Sequence, residues 1–221
     1  TRRFGMNYTA GHIFPASGCA GAVAHALRAV TKPGDKVLVQ APFFPEYIPY
    51  INDTGAQIEI IPARFEDFQI NFEALEQMLQ PGVAAILINS PNNPSGVAYT
   101  GETLEKLSSL LAAKSKELGY NLFLISDEPY REIAFGGREI PYPARFYPHT
   151  LTCYSFSKSL SVPGERIGYV AVCPECEHAE DIVPMCGQIS RGIGHNCPSS
   201  LIQLAAAEAV DDTADLSVYE T

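Results

Sequence analysis

Short apolar runs alternate with longer helical patterns along most of the chain. Several of the runs are almost continuously apolar, which is typical of strands that are covered on both faces of a sheet. Residues 101–118 give the clearest helical pattern, because Leu104, Leu107 and Leu111 fall on one stripe. The alternation predicts an α/β fold, a three-layer α/β/α sandwich with a mostly parallel sheet. The predicted strands are residues 36–40, 57–62, 84–89, 121–127, 151–156 and 167–172, and the predicted helices are residues 19–31, 44–53, 71–80, 101–118 and 199–210.

Composition and charge narrow the class of protein. With 221 residues, 46% hydrophobic and 18% charged, the chain can form a sizeable core. No apolar run approaches the length of about eighteen residues that predicts a membrane-spanning helix. The net charge of −10 argues against nucleic acid or an anionic membrane as a partner, because either would need a basic surface. Because the chain opens at Thr1 without an initiator methionine, we expect it to be an internal piece of a longer protein.

The six cysteines show no paired spacing, which favours a reduced, cytoplasmic protein. Cys173 and Cys176 have the spacing of half a zinc knuckle. Cys186, Cys197, His178 and His195 follow them, but no second Cys-x-x-Cys or His-x-x-x-His does. We therefore predict no metal site.

The residues that carry chemistry fall at the carboxyl ends of the predicted strands, where ligands of α/β sheets bind. Ser155-Phe156-Ser157-Lys158 directly follows an apolar run. A lysine at the point where the chain leaves the sheet, among small hydroxyl residues, can lose hydration and act as a nucleophilic amine. Such an amine forms a Schiff base with a carbonyl. The alternative is a solvated lysine at the end of a strand.

Asp127 ends another apolar strand, and a carboxylate at that depth needs a partner because unpaired burial is costly. A protonated ring nitrogen of a ligand would serve, and Arg131 or Lys158 are the alternatives. Glu128 is the competing acid, and its side chain would point to the opposite face of the strand. Tyr130 follows three residues after Asp127, near enough to offer its hydroxyl to the same ligand.

An anion could bind at the helix that starts with Gly18-Cys19-Ala20. Small residues there let a phosphate approach the unpaired N–H groups, where the helix dipole also favours negative charge. Close helix packing is the alternative. Arg166 offers a planar fork suited to a phosphate or carboxylate, unless it forms a surface ion pair with Glu165 or another acid.

Two further residues could contact a planar ligand. Phe44 follows a predicted strand and could stack on a ring, or it could be a core side chain. Asn93 precedes Pro94, which disfavours the helical conformation and leaves the Asn93 amide able to bind a ligand oxygen. The alternative for Asn93 is a turn between strand and helix.

Taken in order, these segments resemble the class I/II aminotransferases, the pyridoxal 5′-phosphate (PLP) enzymes of fold type I that include aspartate aminotransferase. The resemblance covers essentially the whole chain, and its most specific part is Ser-x-Ser-Lys followed eight residues later by Arg. It implies that residues 1–221 form the PLP-binding large domain, without the N-terminal arm and the C-terminal small domain. The segments are Gly18-Cys19-Ala20, Phe44, Asn93-Pro94-Ser95-Gly96, Asp127-Glu128-Pro129-Tyr130 and residues 155–166.

The resemblance also implies a role for each residue. Lys158 would hold PLP as a Schiff base and would carry a proton between the substrate Cα and the cofactor. Asp127 would pair with the ring nitrogen, Asn93 and Tyr130 would bind the phenolic oxygen, and Phe44 would stack on the ring. The phosphate would be bound by Gly18, Cys19, Ala20, Ser155 and Arg166, with Ser157 as a less certain contact.

The implied activity is transfer of an amino group from an L-amino acid to a 2-oxo acid by a ping-pong mechanism, in a homodimer. A C–S lyase or a decarboxylase on the same scaffold stays open, because the cofactor-binding residues do not distinguish these reactions. A non-catalytic PLP-binding regulatory domain is a third alternative.

The family arginine that binds the substrate α-carboxylate would lie beyond residue 221. Cys19 and Ala20 replace hydroxyl residues common in the phosphate site, so backbone donors would contribute more there.

Overall fold

A computed structural model of the chain describes residues 4–211. Seven strands form one sheet in the order β1-β7-β6-β5-β4-β2-β3. The strands are β1 (Ile13–Ala16), β2 (Lys36–Gln40), β3 (Gln57–Ile61), β4 (Val83–Asn89), β5 (Phe123–Asp127), β6 (Thr150–Ser155) and β7 (Gly168–Val172). The helices are α1 (Gly18–Val30), α2 (Tyr47–Asn52), α3 (Phe72–Met78), α4 (Gly101–Leu118), α5 (Phe156–Ser159), α6 (Ala179–Gly192) and α7 (Ser200–Asp211).

The sheet is mostly parallel, which confirms the predicted fold class. Five adjacent strands are parallel to one another, in the order β3-β2-β4-β5-β6. β7 is the exception, because it pairs antiparallel with β6 on one side and with β1 on the other. β1 therefore runs in the same direction as the parallel strands.

Two apolar clusters cover the two faces of the sheet. In β2, Val37 and Val39 belong to one cluster and Leu38 to the other, as the alternation of side chains along a strand requires. The first cluster includes side chains of α1 and α6, and the second includes those of α3 and α4. The central strands are thus buried on both faces between helical layers, which explains their nearly continuous apolar sequences.

Helix α4 shows how local sequence sets an element. The Thr100 side chain accepts a hydrogen bond from the Thr103 N–H at the start of the helix. Gly119 ends the helix in the left-handed conformation, with φ of 78°. Between these ends, Leu104, Leu107 and Leu111 are buried against the sheet. The structure confirms the predicted bounds of this helix.

The sequence prediction omitted β1, α6 and the single-turn helix α5. β1 is a four-residue strand at the edge of the sheet and contains Pro15, a residue that edge strands tolerate but that weakens a strand prediction. α6 contains Pro184, which normally indicates a break, yet Ile182, Cys186 and Ser190 are buried along one side of this helix. Tertiary packing therefore outweighs the local signal in β1 and α6.

Several predicted bounds differ slightly from the observed ones. α2 begins at Tyr47 rather than at residue 44, and β5 begins at Phe123 rather than at residue 121. β6 ends at Ser155, and Lys158 lies on α5, a single helical turn directly after this strand. No helix in residues 4–211 is long and apolar enough to cross a membrane.

All six cysteines have free thiols. Within the described part of the chain, one group of three residues could supply metal ligands, and it consists of the exposed side chains of His178, Glu180 and Asp181. Neither Cys173 nor Cys176 belongs to that group, and both are buried.

Candidate active site

The carboxyl ends of three neighbouring parallel strands bring the predicted residues together. Asn89, Asp127 and Ser155 are the last residues of β4, β5 and β6, which are adjacent in the sheet. Asn89 lies beside Asp127 in the register, and Asn89 Nδ2 donates a hydrogen bond of 2.9 Å to the Asp127 carbonyl oxygen. This edge is where an α/β sheet binds ligands.

The antiparallel direction of β7 brings Arg166 to the same edge. Gly168, the first residue of β7, is the register partner of both Ser155 and Ala16. A β-carbon at Gly168 would collide with the Tyr154 carbonyl oxygen and would lie 2.9 Å from the backbone of Gly18. Glycine is therefore needed where β6, β7 and the start of α1 meet.

A cavity of about 310 Å³ lies at this edge. It is lined by ten of the eleven residues that the sequence predicts for the site. The eleventh, Gly18, contacts the guanidinium of Arg166. The predicted residues in the lining are Cys19, Ala20, Phe44, Asn93, Asp127, Tyr130, Ser155, Ser157, Lys158 and Arg166. Six further residues complete the lining: Val23, Tyr47, Tyr50, Asn89, Pro129 and Pro163.

Asp127 is the buried acid of the cavity, with 6% of its surface exposed. Tyr47 donates a hydrogen bond to Oδ2, and the Cys19 thiol donates one of 2.6 Å to Oδ1. Burial raises the pKa of the Asp127 carboxyl from 3.8 to about 6, while the two hydrogen bonds act in the opposite direction. Neither Arg131 nor Lys158 donates to this carboxylate, so the alternative partners considered from the sequence are replaced by Cys19 and Tyr47.

Glu128 points away from the cavity, as strand alternation predicts. It is buried and forms an ion pair of 2.9 Å with Arg131, whose side chain is also buried. The guanidinium of Arg131 lies 4.5 Å from the centre of the Tyr154 ring and 4.7 Å from that of Phe4. This ion pair belongs to the packing on the far side of β5 and leaves Asp127 as the acid of the cavity.

Arg166 contacts the first turn of α1. Gly18 has φ of 71°, and a β-carbon on it would lie 2.6 Å from Arg166 Nη2. The guanidinium donates hydrogen bonds to the carbonyl oxygens of Pro163, at 2.8 Å, and Ser17, at 3.5 Å. These hydrogen bonds go to backbone carbonyl oxygens rather than to Glu165. Unpaired N–H groups, the helix dipole and a guanidinium converge here, which favours an anion.

Lys158 and Tyr130 flank the opening of the cavity. Lys158 Nζ lies 5.8 Å from the centre of the Tyr130 ring, and the lysine side chain is exposed. Burial raises the pKa of Tyr130, and the negative charge of Asp127 raises it further, while a hydrogen bond with Asn93 lowers it. The Tyr130 hydroxyl and the Asn93 side chain thus lie next to each other at the rim.

In residues 89–97, the side chains of other asparagines near Asn93 supply the hydrogen bonds of the turn. Asn92 Oδ1 accepts a hydrogen bond from the Ser95 N–H, and Asn89 Oδ1 accepts one of 2.6 Å from the Asn93 N–H. The Asn93 side chain itself lines the cavity. The turn alternative therefore describes the segment, while the Asn93 side chain lines the cavity and forms a hydrogen bond with Tyr130.

Tyr47 is the most consequential residue that the sequence reasoning missed. It follows Phe44 by three residues, and Tyr50 follows by another three, so all three aromatic side chains share one side of the α2 region. That spacing was the available signal. The sequence gives no direct indication that the Tyr47 hydroxyl reaches Asp127, because the contact joins α2 to β5 across 80 residues.

Comparison with known proteins identifies the family. Residues 3–220 match the model of aminotransferase class I and II. The chain is 30% identical over 211 residues to a probable N-acetyl-LL-diaminopimelate aminotransferase of Bacillus subtilis, covering 95% of this chain and 50% of the relative. It is 30% identical over 213 residues to an aspartate/prephenate aminotransferase of Thermus thermophilus, covering 95% of this chain and 51% of the relative.

Solved structures of aminotransferases are also similar to this chain. An aminotransferase from Eubacterium rectale superposes with a TM-score of 0.94 at 41% identity, covering 99% of this chain and 55% of that one. An aspartate aminotransferase from Thermotoga maritima gives a TM-score of 0.86 at 28% identity, covering 98% of this chain and 55% of that one.

The mostly parallel sheet, with a lysine, a buried aspartate and an arginine at its carboxyl edge, is thus that of an aminotransferase-like protein. The chain belongs to the class I and II aminotransferase family. Members of this family use PLP. The chain spans about half the length of the curated relatives that it matches.

Proposed function

We propose that the protein of which this chain is a part is a PLP-dependent aminotransferase. It would move an amino group from an L-amino acid to a 2-oxo acid by a ping-pong mechanism. The observation that carries the proposal is the shared cavity of Lys158, Asp127 and Arg166, which come from the ends of three neighbouring strands. We also propose that residues 1–221 form the cofactor-binding large domain of this enzyme.

The residues around the cavity fit PLP by their chemistry. The cofactor combines an anionic phosphate, an aldehyde and a basic ring nitrogen. The first turn of α1, which Gly18 keeps open toward Arg166, suits the phosphate. Asp127 has a buried carboxylate that would gain from a cationic partner, and Lys158 offers an amine at the rim.

We assign the binding residues by the part of the cofactor that each would contact. Asp127 would face the ring nitrogen, Asn93 and Tyr130 the phenolic oxygen, and Phe44 one face of the ring. The phosphate would be bound by Gly18, Cys19, Ala20, Ser155, Ser157 and Arg166.

Bound PLP would supply an aldehyde that takes up amines and a ring that withdraws the electron pair left at the substrate Cα. Lys158 Nζ would hold and move the proton that leaves Cα. Asp127 would keep a proton on the ring nitrogen, because a buried carboxylate strongly favours a cationic neighbour. Tyr130 and Asn93 would orient the reacting end of the cofactor toward Lys158.

We further propose that the complete protein is a cytoplasmic homodimer. Free thiols on all six cysteines support a reduced compartment. Helix α7 presents Leu201 and Leu204 with 73% and 69% of their surfaces exposed, and Val210 with 62%. Apolar exposure on this scale favours burial against another part of the assembly. Size-exclusion chromatography with light scattering on the full-length protein tests the dimer, and a monomer at micromolar concentration would contradict it.

The activity can be tested with the full-length protein and PLP. L-Amino acid donors, including L-glutamate, are supplied with a 2-oxo acid acceptor, and both products are quantified. We expect equal amounts of new amino acid and new oxo acid. Lys158→Ala should reduce turnover by about a thousandfold or more, whereas Lys116→Ala, at an exposed position on α4, should not change it.

Two results would contradict the proposal. Release of ammonia and an oxo acid without an acceptor would indicate a lyase. Turnover that survives Lys158→Ala unchanged would remove the lysine from the reaction.

A further inference from the structure

Cys19 contacts Asp127 although the two residues are 108 positions apart in the sequence. Its Sγ donates a hydrogen bond of 2.6 Å to Oδ1, while Tyr47 donates to Oδ2. One donor comes from α1 and the other from α2, so two separate helices hold the two oxygens of one buried carboxylate. We propose that Cys19 is a positioning residue, whose thiol fixes the Asp127 carboxylate for the ring nitrogen of the cofactor. This inference rests on the proposed function.

The surroundings of Cys19 favour a thiol that donates a hydrogen bond rather than a reactive thiolate. Burial, followed by the charge of Asp127, raises the pKa of Cys19 well above its ordinary value. The thiol therefore keeps its proton at neutral pH and directs it at Oδ1. A nucleophilic role, which needs the thiolate, is disfavoured by the same surroundings.

The contact leaves room for a ligand. An ionised carboxylate offers about four lone-pair sites on its two oxygens. Cys19 and Tyr47 occupy one on each oxygen, so each oxygen can still accept from an incoming N–H group. Because both donors favour the charged form, they oppose the effect of burial and keep Asp127 a better partner for a cation.

Other polar groups also lie near Asp127. Tyr50, Tyr130 and Cys153 are close enough to be affected by its negative charge, and Lys158 and Arg166 line the same cavity. These groups remain in place when Cys19 is changed. A substitution at residue 19 therefore isolates the thiol hydrogen bond.

The first test measures the pKa of Asp127 in the full-length protein without cofactor, from the carboxyl ¹³C chemical shift of labelled aspartate. Cys19→Ala should raise the pKa of Asp127 by about one, a tenfold change in its protonation equilibrium, because a donor to the charged form is lost. Cys19→Ser keeps a donor and should return the pKa to the wild-type value or below it. Cys153→Ala, which removes a nearby thiol from β6, is the matched control and should leave the pKa nearly unchanged.

The second test measures the affinity for PLP at two pH values. If Asp127 must be ionised to bind, Cys19→Ala should weaken binding about threefold more at about pH 6.5 than at about pH 8.5, where both proteins are ionised. A purely structural defect would weaken binding equally at both pH values. Cys19→Ser should behave like the wild type.

The outcomes separate this inference from the proposed function. An unchanged pKa of Asp127 in Cys19→Ala, or an equal rise in the alanine and serine variants, overturns the role of the thiol. If the alanine variant does not fold, the serine variant still decides, because a pKa above that of the wild type contradicts a donor role. Failure of the wild-type protein to bind PLP would overturn the proposed function, whereas the pKa comparison would still judge the contact.

Discussion

Replacing Asp127 with asparagine should stabilise the cofactor-free protein above about pH 6, although it should weaken the binding of cofactor. The folded-state pKa of Asp127 is raised from 3.8 to about 6, mainly by burial. Between these values the folded state binds more protons than the unfolded state, so stability falls as the pH rises through this window. Below about pH 3 the carboxyl is mostly protonated in both states and contributes no such loss.

The magnitude follows from the width of the window. A difference of about two pH units corresponds to about 3 kcal/mol of lost stability above pH 6. Asparagine removes this loss, but its NH₂ group replaces one of the two acceptor oxygens. One of the hydrogen bonds from Cys19 and Tyr47 is therefore lost, which costs about 1 kcal/mol. We therefore expect Asp127→Asn to gain about 2 kcal/mol at about pH 8.

Urea unfolding of the cofactor-free, full-length protein at about pH 4 and about pH 8 measures this difference. Glu66→Gln removes one acid from an exposed position and serves as the control for net charge. The gain in free energy of unfolding should appear only at the higher pH, and in Asp127→Asn but not in Glu66→Gln. Equal stability of Asp127→Asn and the wild type at the higher pH would refute the reasoning. With PLP present the order should reverse, because asparagine cannot provide the anionic partner of the ring nitrogen.

Two further substitutions test other parts of the structure. Gly18→Ala should weaken PLP binding at least about tenfold, because the new β-carbon meets Arg166 and the backbone there has positive φ, which costs about 1–2 kcal/mol; equilibrium titration checks this, and an unchanged affinity would contradict the assigned phosphate site. Arg131→Met should lower the free energy of unfolding by about 3–5 kcal/mol, because it leaves Glu128 buried without its partner. Denaturant unfolding measures the loss, and Arg131→Met combined with Glu128→Gln should restore part of it, whereas no recovery would indicate that the aromatic contacts of Arg131 dominate.

The periodic pattern along the chain was enough to predict most of the sheet. β2 to β7 and α4 have strong local signals, namely apolar runs for the strands and a capped leucine stripe for the helix. β1 and α6 were missed because Pro15 and Pro184 argue locally against the elements that contain them. Both elements are held by packing against partners that are distant in the sequence.

Some features of the candidate site could likewise be predicted from the sequence, and others could not. Residues at the end of a strand or just after it, such as Asp127 and Lys158, could be predicted because topology brings the strand ends to one edge. The partners of Asp127 could not be predicted, because the contacts of Cys19 and Tyr47 with this carboxylate depend on how α1 and α2 pack. Strand alternation separated Asp127 from Glu128, and the buried ion pair of Glu128 with Arg131 agrees with that separation.

Reduction of the PLP-loaded, full-length protein with sodium borohydride tests the central proposal most directly. The reagent makes a lysine–cofactor linkage permanent, and mass spectrometry of the digested protein then locates it. We predict that the modified peptide contains Lys158 and that Lys158→Ala yields no modified peptide. Stoichiometric labelling of a different lysine, or no labelling of Lys158 in cofactor-saturated protein, would contradict the assignment of this residue and with it the proposed active site.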